Sequence, residues 1–279
     1  YMARQLGDEV GGTVGFRVRG ETRVSRRTRI EVVTEGVLTR MLQEDQSLEG
    51  VGAVLFDEYH ERSIHADTGL ALCLQTQEVL RPQLRILVMS ATLDGARIAA
   101  LLGGSPVVTS DGRLHPVETR YRERSVSGWI EDAVAGTIRD ALHEETGDVL
   151  VFLPGAGEIR RVQAQLRDVD ATVTVHALFG MLPPAEQDAA LAPAPRGRRK
   201  VVLATSIAET SLTIEGVRVV VDSGLARVPR FSARTGMSRL ETTRVPLASA
   251  DQRRGRAGRL GPGVCYRCWT VGEHAGLLP

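Results

Sequence analysis

Short unbroken runs of apolar residues recur along the chain, at Ile30-Val33, Val51-Phe56, Leu84-Met89, Val149-Leu153, Val201-Ala204 and Val217-Val221, with helical segments between them. Such runs suit strands buried on both faces, and their alternation with helices argues for parallel sheets in an α/β architecture rather than an antiparallel sandwich. The pattern predicts helices over 36–43, 66–80, 95–102, 126–145 and 157–168. Turn formers at Gly103-Gly104-Ser105-Pro106 and again from Asp111 to Pro116 surround one short apolar pair, which places a domain boundary near residue 116. The first domain is then 1–115 and the second 116–279. A Pro- and Arg-rich stretch, Ala192 to Lys200, reads as an exposed loop within the second, and no repeat of fixed period stands out.

Composition narrows the classes. The 279 residues are 42% hydrophobic and 25% charged, with 35 basic against 34 acidic side chains, so bulk charge names no partner. A soluble globular protein is expected, with no membrane partner and no leader, because no stretch approaches a membrane-spanning length and Tyr1-Met2-Ala3-Arg4 opens no apolar signal region. Cys73, Cys265 and Cys268 are an odd count. A lone Cys265-x-x-Cys268 pair without a second pair or a nearby His predicts reduced, unmetallated thiols packed in a core, in a cytoplasmic protein. All basic residues but Lys200 are Arg, so arginine abundance by itself argues little. Six Arg against the single acid Glu21 between Arg17 and Arg29 nevertheless suggest either a phosphate-facing surface or a solvated basic face.

Chemistry gathers at strand ends. The run 51–56 leads directly into Asp57-Glu58-Tyr59-His60, putting two carboxylates where an open parallel sheet presents ligands. Asp57 there suits Mg²⁺ bound to nucleotide phosphates and Glu58 suits activation of an attacking water, although an acidic pair at such a place also caps turns. The run 84–89 leads into Ser90-Ala91-Thr92, hydroxyls able to reach His60 or to cap the helix that follows. In the second half, 201–204 runs into the hydroxyl-rich stretch from Thr205 to Ile214, fit to meet phosphate oxygens. Further on, Gln252-Arg253-Arg254-Gly255-Arg256-Ala257-Gly258-Arg259 carries four Arg spaced by small residues. In a helix, Arg256 and Arg259 share a face and can clamp phosphoryl charge; the alternative is a solvated nucleic-acid-binding segment. His115 is expected in the connector, His176 in a structural setting, and Tyr59 packed against the sheet.

Taken together and in order, these segments resemble the superfamily 2 helicases of the DEAH-box class. Asp57 to His60 matches the DEAH motif with Tyr at its third place, Ser90-Ala91-Thr92 the SAT motif, Thr34-Glu35-Gly36 a nucleic-acid-contacting motif, Thr205 to Ile214 the TNIAETSLTI box with Ser206 for Asn, and Gln252 to Arg259 the QRxGRxGR motif. The resemblance covers nearly the whole chain and implies two RecA-like parallel-sheet lobes, the first incomplete. It implies ATP and Mg²⁺ as cofactors and single-stranded RNA, with DNA as the alternative, as partner. By the same resemblance Asp57 binds Mg²⁺ through water, Glu58 is the general base, and His60 couples with Ser90 and Thr92. Gln252 positions water, Arg256 and Arg259 act on the γ-phosphate, Thr34 and Thr205 touch the nucleic-acid backbone, and Ser211 and Thr213 lie in the ATP-coupling segment. A β-hairpin is expected over Ser232 to Glu241, turning at Thr235-Gly236, with Leu225 to Val228 as its neighbour.

One departure stands out. No G-x-x-x-x-G-K-S/T phosphate loop occurs, and the sole Lys is Lys200. The expectation is a piece of a longer polypeptide, lacking upstream and downstream parts and poor at ATP turnover by itself. Three functions stay open: an ATP-driven translocase on single-stranded nucleic acid, a nucleic-acid-independent NTPase switch, and an inactive RNA-binding remnant.

Overall fold

A computed structural model describes residues 2–90, 95–110, 115–209 and 214–278, and the chain divides into two units, Tyr1–Ser110 and Asp111–Pro279. In the first, α1 (Met2–Gln5) precedes β1 (Val14–Val18), β2 (Glu21–Arg23) and β3 (Ile30–Val33). β1 pairs antiparallel with β2 and parallel with β3. Then come α2 (Glu35–Glu44), β4 (Ala53–Phe56), α3 (Ile64–Val79), β5 (Arg85–Val88) and α4 (Gly95–Leu101), with β4 and β5 parallel.

Leu38 and Leu42 of α2 meet Ala66, Leu70 and Cys73 of α3 over Val54 and Phe56 of β4, forming the first core. Only one face of these strands is covered among the described residues. Leu55 and Leu87 are 56% and 51% exposed, and Ile30 and Val32 of β3 are exposed as well. The two-sided burial expected of every apolar run is therefore not met here, because the helical layer of the first unit's core packs on the Val54 and Phe56 side alone.

It is met in the second unit. There the chain runs through β6 (Val117–Tyr121), α5 (Ile130–Glu144), β7 (Asp148–Phe152), α6 (Ala156–Gln165), β8 (Val173–Leu178), α7 (Pro184–Leu191), β9 (Arg199–Ala204), β10 (Val217–Asp222), β11 (Leu225–Ser232), β12 (Met237–Arg244), α8 (Leu247–Gly255), β13 (Gly263–Arg267) and α9 (Val271–Ala275). Six strands form one parallel sheet in the order β6-β13-β10-β7-β9-β8. Side chains alternate across it: Val149, Val151, Val201 and Leu203 join one buried cluster, and Leu150, Phe152, Val202 and Ala204 the other.

Three local expectations need correction. The helix expected from residue 126 starts at Ile130, since Gly128 takes φ 97° and breaks any earlier turn. The helix expected to 168 ends at Gln165. Lys200 is not in an exposed loop: it is the second residue of β9 and 1% exposed, its Nζ donating to the carbonyls of Ala190 (3.2 Å) and Ala192 (2.6 Å) at the end of α7. A cation suits that helix terminus, where carbonyls lack partners. Burial nonetheless holds its pKa below the usual lysine value.

β11 and β12 form an antiparallel hairpin in full register from Leu225↔Arg244 to Ser232↔Met237. It is longer than the expected Ser232 to Glu241, and its first strand, Leu225–Ser232, takes in Leu225 to Val228. The turn is closed by Thr235 and Gly236 amides donating to the Ser232 carbonyl. Among the described residues no helix is long and apolar enough to cross a membrane.

Candidate nucleotide and nucleic-acid sites

In the first unit, β4 delivers the chain into Asp57-Glu58 at its carboxyl end, and the backbone then turns sharply. Glu58 occupies left-handed space (φ 48°, ψ 36°), its amide donating to Asp57 Oδ1 at 2.9 Å. Such a conformation is uncommon for a residue with a Cβ, so the surroundings must hold it. They do so by backbone: Met89 N donates to Phe56 O (2.8 Å) and Tyr59 N donates to Met89 O (3.0 Å). The segment leading to Ser90 is thereby laced to the Asp57-His60 turn. His60 Nδ1 lies 3.5 Å from Glu58 Oε2, its side chain 9% exposed. Thr92 lies outside the described residues.

Tyr59 is buried as expected, and it also has a polar task. Its hydroxyl donates to Asp67 Oδ1 at 2.8 Å, and Arg62 grips the same carboxylate through Nε (3.0 Å) and Nη2 (2.6 Å) while lying 5.5 Å from the Tyr59 ring centroid. Burial, reinforced by that bond, pushes the phenol up to about 12. The Arg62 bond holds the Asp67 carboxyl below its usual range. Together these contacts lock residues 59–67 around the Asp57-His60 turn.

Thr34 stands at the N-cap of α2 with an extended backbone, and its hydroxyl does not cap the helix. It lines a groove of about 920 Å³ with Arg17, Arg19, Gly36, Arg40 and His65, where Glu21 and Glu44 also contribute. The basic stretch suspected of facing phosphates thus shares a groove with the Thr34 motif. Arg40 and His65 come from α2 and α3, and no sequence pattern marked them.

In the second unit Thr205 follows β9 and N-caps a single 3₁₀ turn, Ser206–Ala208, again without a side-chain capping bond. Ser211 and Thr213 lie outside the described residues. Gln252 is on α8, which ends at Gly255; Arg256–Gly258 continue as a 3₁₀ turn rather than an α-helix. Arg256 is buried and donates through Nε to Glu209 O at 2.8 Å, whereas Arg259 is exposed. Of the two motif glycines, Gly258 is needed for space: a Cβ there would sit 2.6 Å from His115 O, while one at Gly255 would meet nothing within 4 Å.

The residue that sequence reading passed over is Arg253. It is wholly buried, donating through Nε and Nη2 to Glu209 Oε1 (2.8 and 2.6 Å) and through Nη1 to Asp222 Oδ1 (2.7 Å), and stacking 4.9 Å from the Phe152 ring centroid. Burial works against its charge, but Asp222 and Glu209 overcome that and hold its pKa above the ordinary arginine value. Glu209 therefore joins the Thr205 segment to the arginine segment by side chain and by backbone. Its place inside Ile207-Ala208-Glu209 was the only signal. Cys265 and Cys268 are buried as expected, burial raising both thiols, Cys268 to about 12.

Residues 133–261 match the helicase conserved C-terminal domain. The chain is 53% identical over 264 residues to the ATP-dependent RNA helicase HrpB of Escherichia coli (strain K12), covering 94% of this chain and 33% of that protein. Over nearly its whole length the chain is therefore similar to DEAH/DExH-box helicases, and residues 133–261 carry a helicase conserved C-terminal domain. It is also 38% identical over its whole length to the pre-mRNA-splicing factor ATP-dependent RNA helicase prp22 of Schizosaccharomyces pombe, covering 25% of that protein. Two crystal structures of E. coli HrpB, described as a DExH-box NTPase and a DEAH/RHA helicase, superpose with TM-scores of 0.87 and 0.93 at 50% identity over 99% of this chain. The chain spans about a third of the length of the HrpB relatives. The RecA-like reading of the six-stranded parallel sheet agrees with these matches.

Proposed function

We propose that this chain is the part of an ATP-dependent helicase or translocase that couples ATP hydrolysis to movement on single-stranded RNA. The observation that carries it is the pairing, within one unit, of a hydrolytic turn at Asp57-Glu58 with a basic groove around Thr34. In this reading Glu58 is the general base and Gln252 a water-positioning residue. Arg256 and Arg259 stabilise charge on the γ-phosphoryl group, while His60, Ser90 and Thr92 report nucleotide state. Ser211 and Thr213 belong to the segment that couples to ATP.

Magnesium suits the donors present. Asp57 is an exposed carboxylate at a strand end, and among the described residues no group of three or more His, Cys, Asp or Glu side chains forms a cage. A single carboxylate matches an ion that keeps most of its waters and takes its other ligands from nucleotide phosphates. When bound, it would neutralise phosphate charge.

Thr34 and Thr205, with hydroxyls not used for capping, supply backbone contacts that carry no base information, so grip should be largely independent of sequence. RNA rather than DNA is favoured because the two relatives named above are RNA helicases by name. A cytoplasmic setting is proposed from three buried free thiols.

The test is ATP turnover by the full-length protein with and without single-stranded RNA, using Glu58→Gln as control. RNA-stimulated turnover that vanishes in the control supports the coupling. Turnover indifferent to RNA replaces it with a nucleotide switch, and RNA binding without turnover leaves a binding module.

A further inference from the structure

Between the hydrolytic turn and the basic groove lie only a few residues of chain, and they are held tightly. Glu58 leads through the 3₁₀ turn Tyr59–Glu61 to Arg62, which has φ 45°, and then to Ser63, the N-cap of α3. His65, two residues later, already lines the groove. Arg62 cannot swing independently, because Asp67 and Tyr59 clamp it.

Ser63 has two partners. Its Oγ accepts from Ala66 N at 2.9 Å, capping α3, and donates to Glu35 Oε2 on the first turn of α2. Glu35 follows Thr34 directly. The N-termini of α2 and α3, which bring Thr34 and His65 to one groove, are thus tied by a side-chain hydrogen bond, in addition to their apolar packing, at the end of the segment that starts at the Asp57-Glu58 carboxylates.

We infer that the Ser63–Glu35 hydrogen bond transmits the state of the Asp57-Glu58 turn to the nucleic-acid groove, making Ser63 and Glu35 positioning residues for RNA stimulation of ATP turnover. The inference rests on the proposed function and adds its route within the first unit. Displacement of the turn moves Ser63 through a clamped segment. With the bond intact, the N-terminus of α2 and Thr34 follow Ser63 directly; without it, only the apolar packing of Leu38 and Leu42 on α3 is left to carry the motion. By linkage, RNA seated in the groove biases the turn through the same bond.

Capping and coupling separate by substitution in the full-length protein. Ser63→Thr keeps both the cap and the donor. Ser63→Asp keeps a good cap but removes the donor and opposes the Glu35 carboxylate.

Basal ATP turnover and thermal midpoint should stay near wild type in both variants. The ratio of RNA-stimulated to basal turnover should fall at least about fivefold in Ser63→Asp, the low end of ordinary coupling energies, and be retained in Ser63→Thr. Glu35→Ala should lose the same ratio, and combining it with Ser63→Asp should add little. Wild-type stimulation in Ser63→Asp would overturn the inference and leave the helicase reading standing. A wild-type protein that RNA does not stimulate would overturn both, and Glu58→Gln in parallel identifies that case.

Discussion

Arg253 Nη1 lies 2.7 Å from Asp222 Oδ1, and both side chains are wholly buried. A buried cation so placed is costly to orphan: removing one partner of such a pair destabilises by about 3–5 kcal/mol. Arg253→Met, close in length but uncharged, should lower unfolding free energy by that amount in chemical denaturation, because it leaves Asp222 and Glu209 facing a low-dielectric interior. A loss under about 1 kcal/mol, the range of exposed pairs, would mean that solvent reaches the site.

Arg256 should behave differently. Its Nε bond to the Glu209 carbonyl fixes the stem, and the proposed role concerns the transferring phosphoryl group. Arg256→Ala should cut kcat about 10³-fold, the low end for an arginine finger, with nucleotide affinity changed far less. Single-turnover hydrolysis with a parallel binding titration separates the two effects, and equal losses in both would assign Arg256 to binding alone.

The groove around Thr34 makes a prediction about salt. If Arg19 neutralises one phosphate, Arg19→Ala should reduce the slope of log affinity against log salt by about 0.7, the increment for a single strand. The weakening should be the same on RNAs of unrelated sequence. Fluorescence anisotropy at four salt concentrations reads both quantities, and an unchanged slope would take Arg19 off the strand's path.

Acidification should weaken the second unit through two of its histidines. Burial, aided by Lys200, holds the His176 pKa below 6.5, and burial together with Arg267 does the same for His274. A histidine whose folded pKa is depressed binds more protons when unfolded, so its stability contribution is present above pH 6.5 and is lost as pH falls through the lowered folded value. Unfolding free energy should therefore drop between pH 7 and pH 5, above the ordinary range of Asp and Glu. The double variant His176→Gln with His274→Gln should flatten that slope.

Strand positions were readable because unbroken apolar runs have few alternatives: β3, β7, β9 and β10 fall within a residue or two of the runs that predict them. β6 and β8 were not, since Val117-Glu118-Thr119-Arg120-Tyr121 and Val173-Thr174-Val175-His176 mix polar residues into the edges of the sheet, where one side is less covered. The motif residues could be placed at strand ends for the same reason. Arg253 and Lys200 could not be read, because burial of a lone charge depends on partners distant in sequence: Glu209 and Asp222 for one, the α7 carbonyls for the other. The groove required α2 and α3 to be brought side by side, which no local pattern encodes.

The position of Lys200 has a practical consequence. The only side-chain amine in the 279 residues is sealed under α7, so amine-directed reagents find no surface target of that kind on this chain. Slow acylation or crosslinking at Lys200 would then time the opening of β9 and α7, turning covalent labelling into a clock for local unfolding of the second unit.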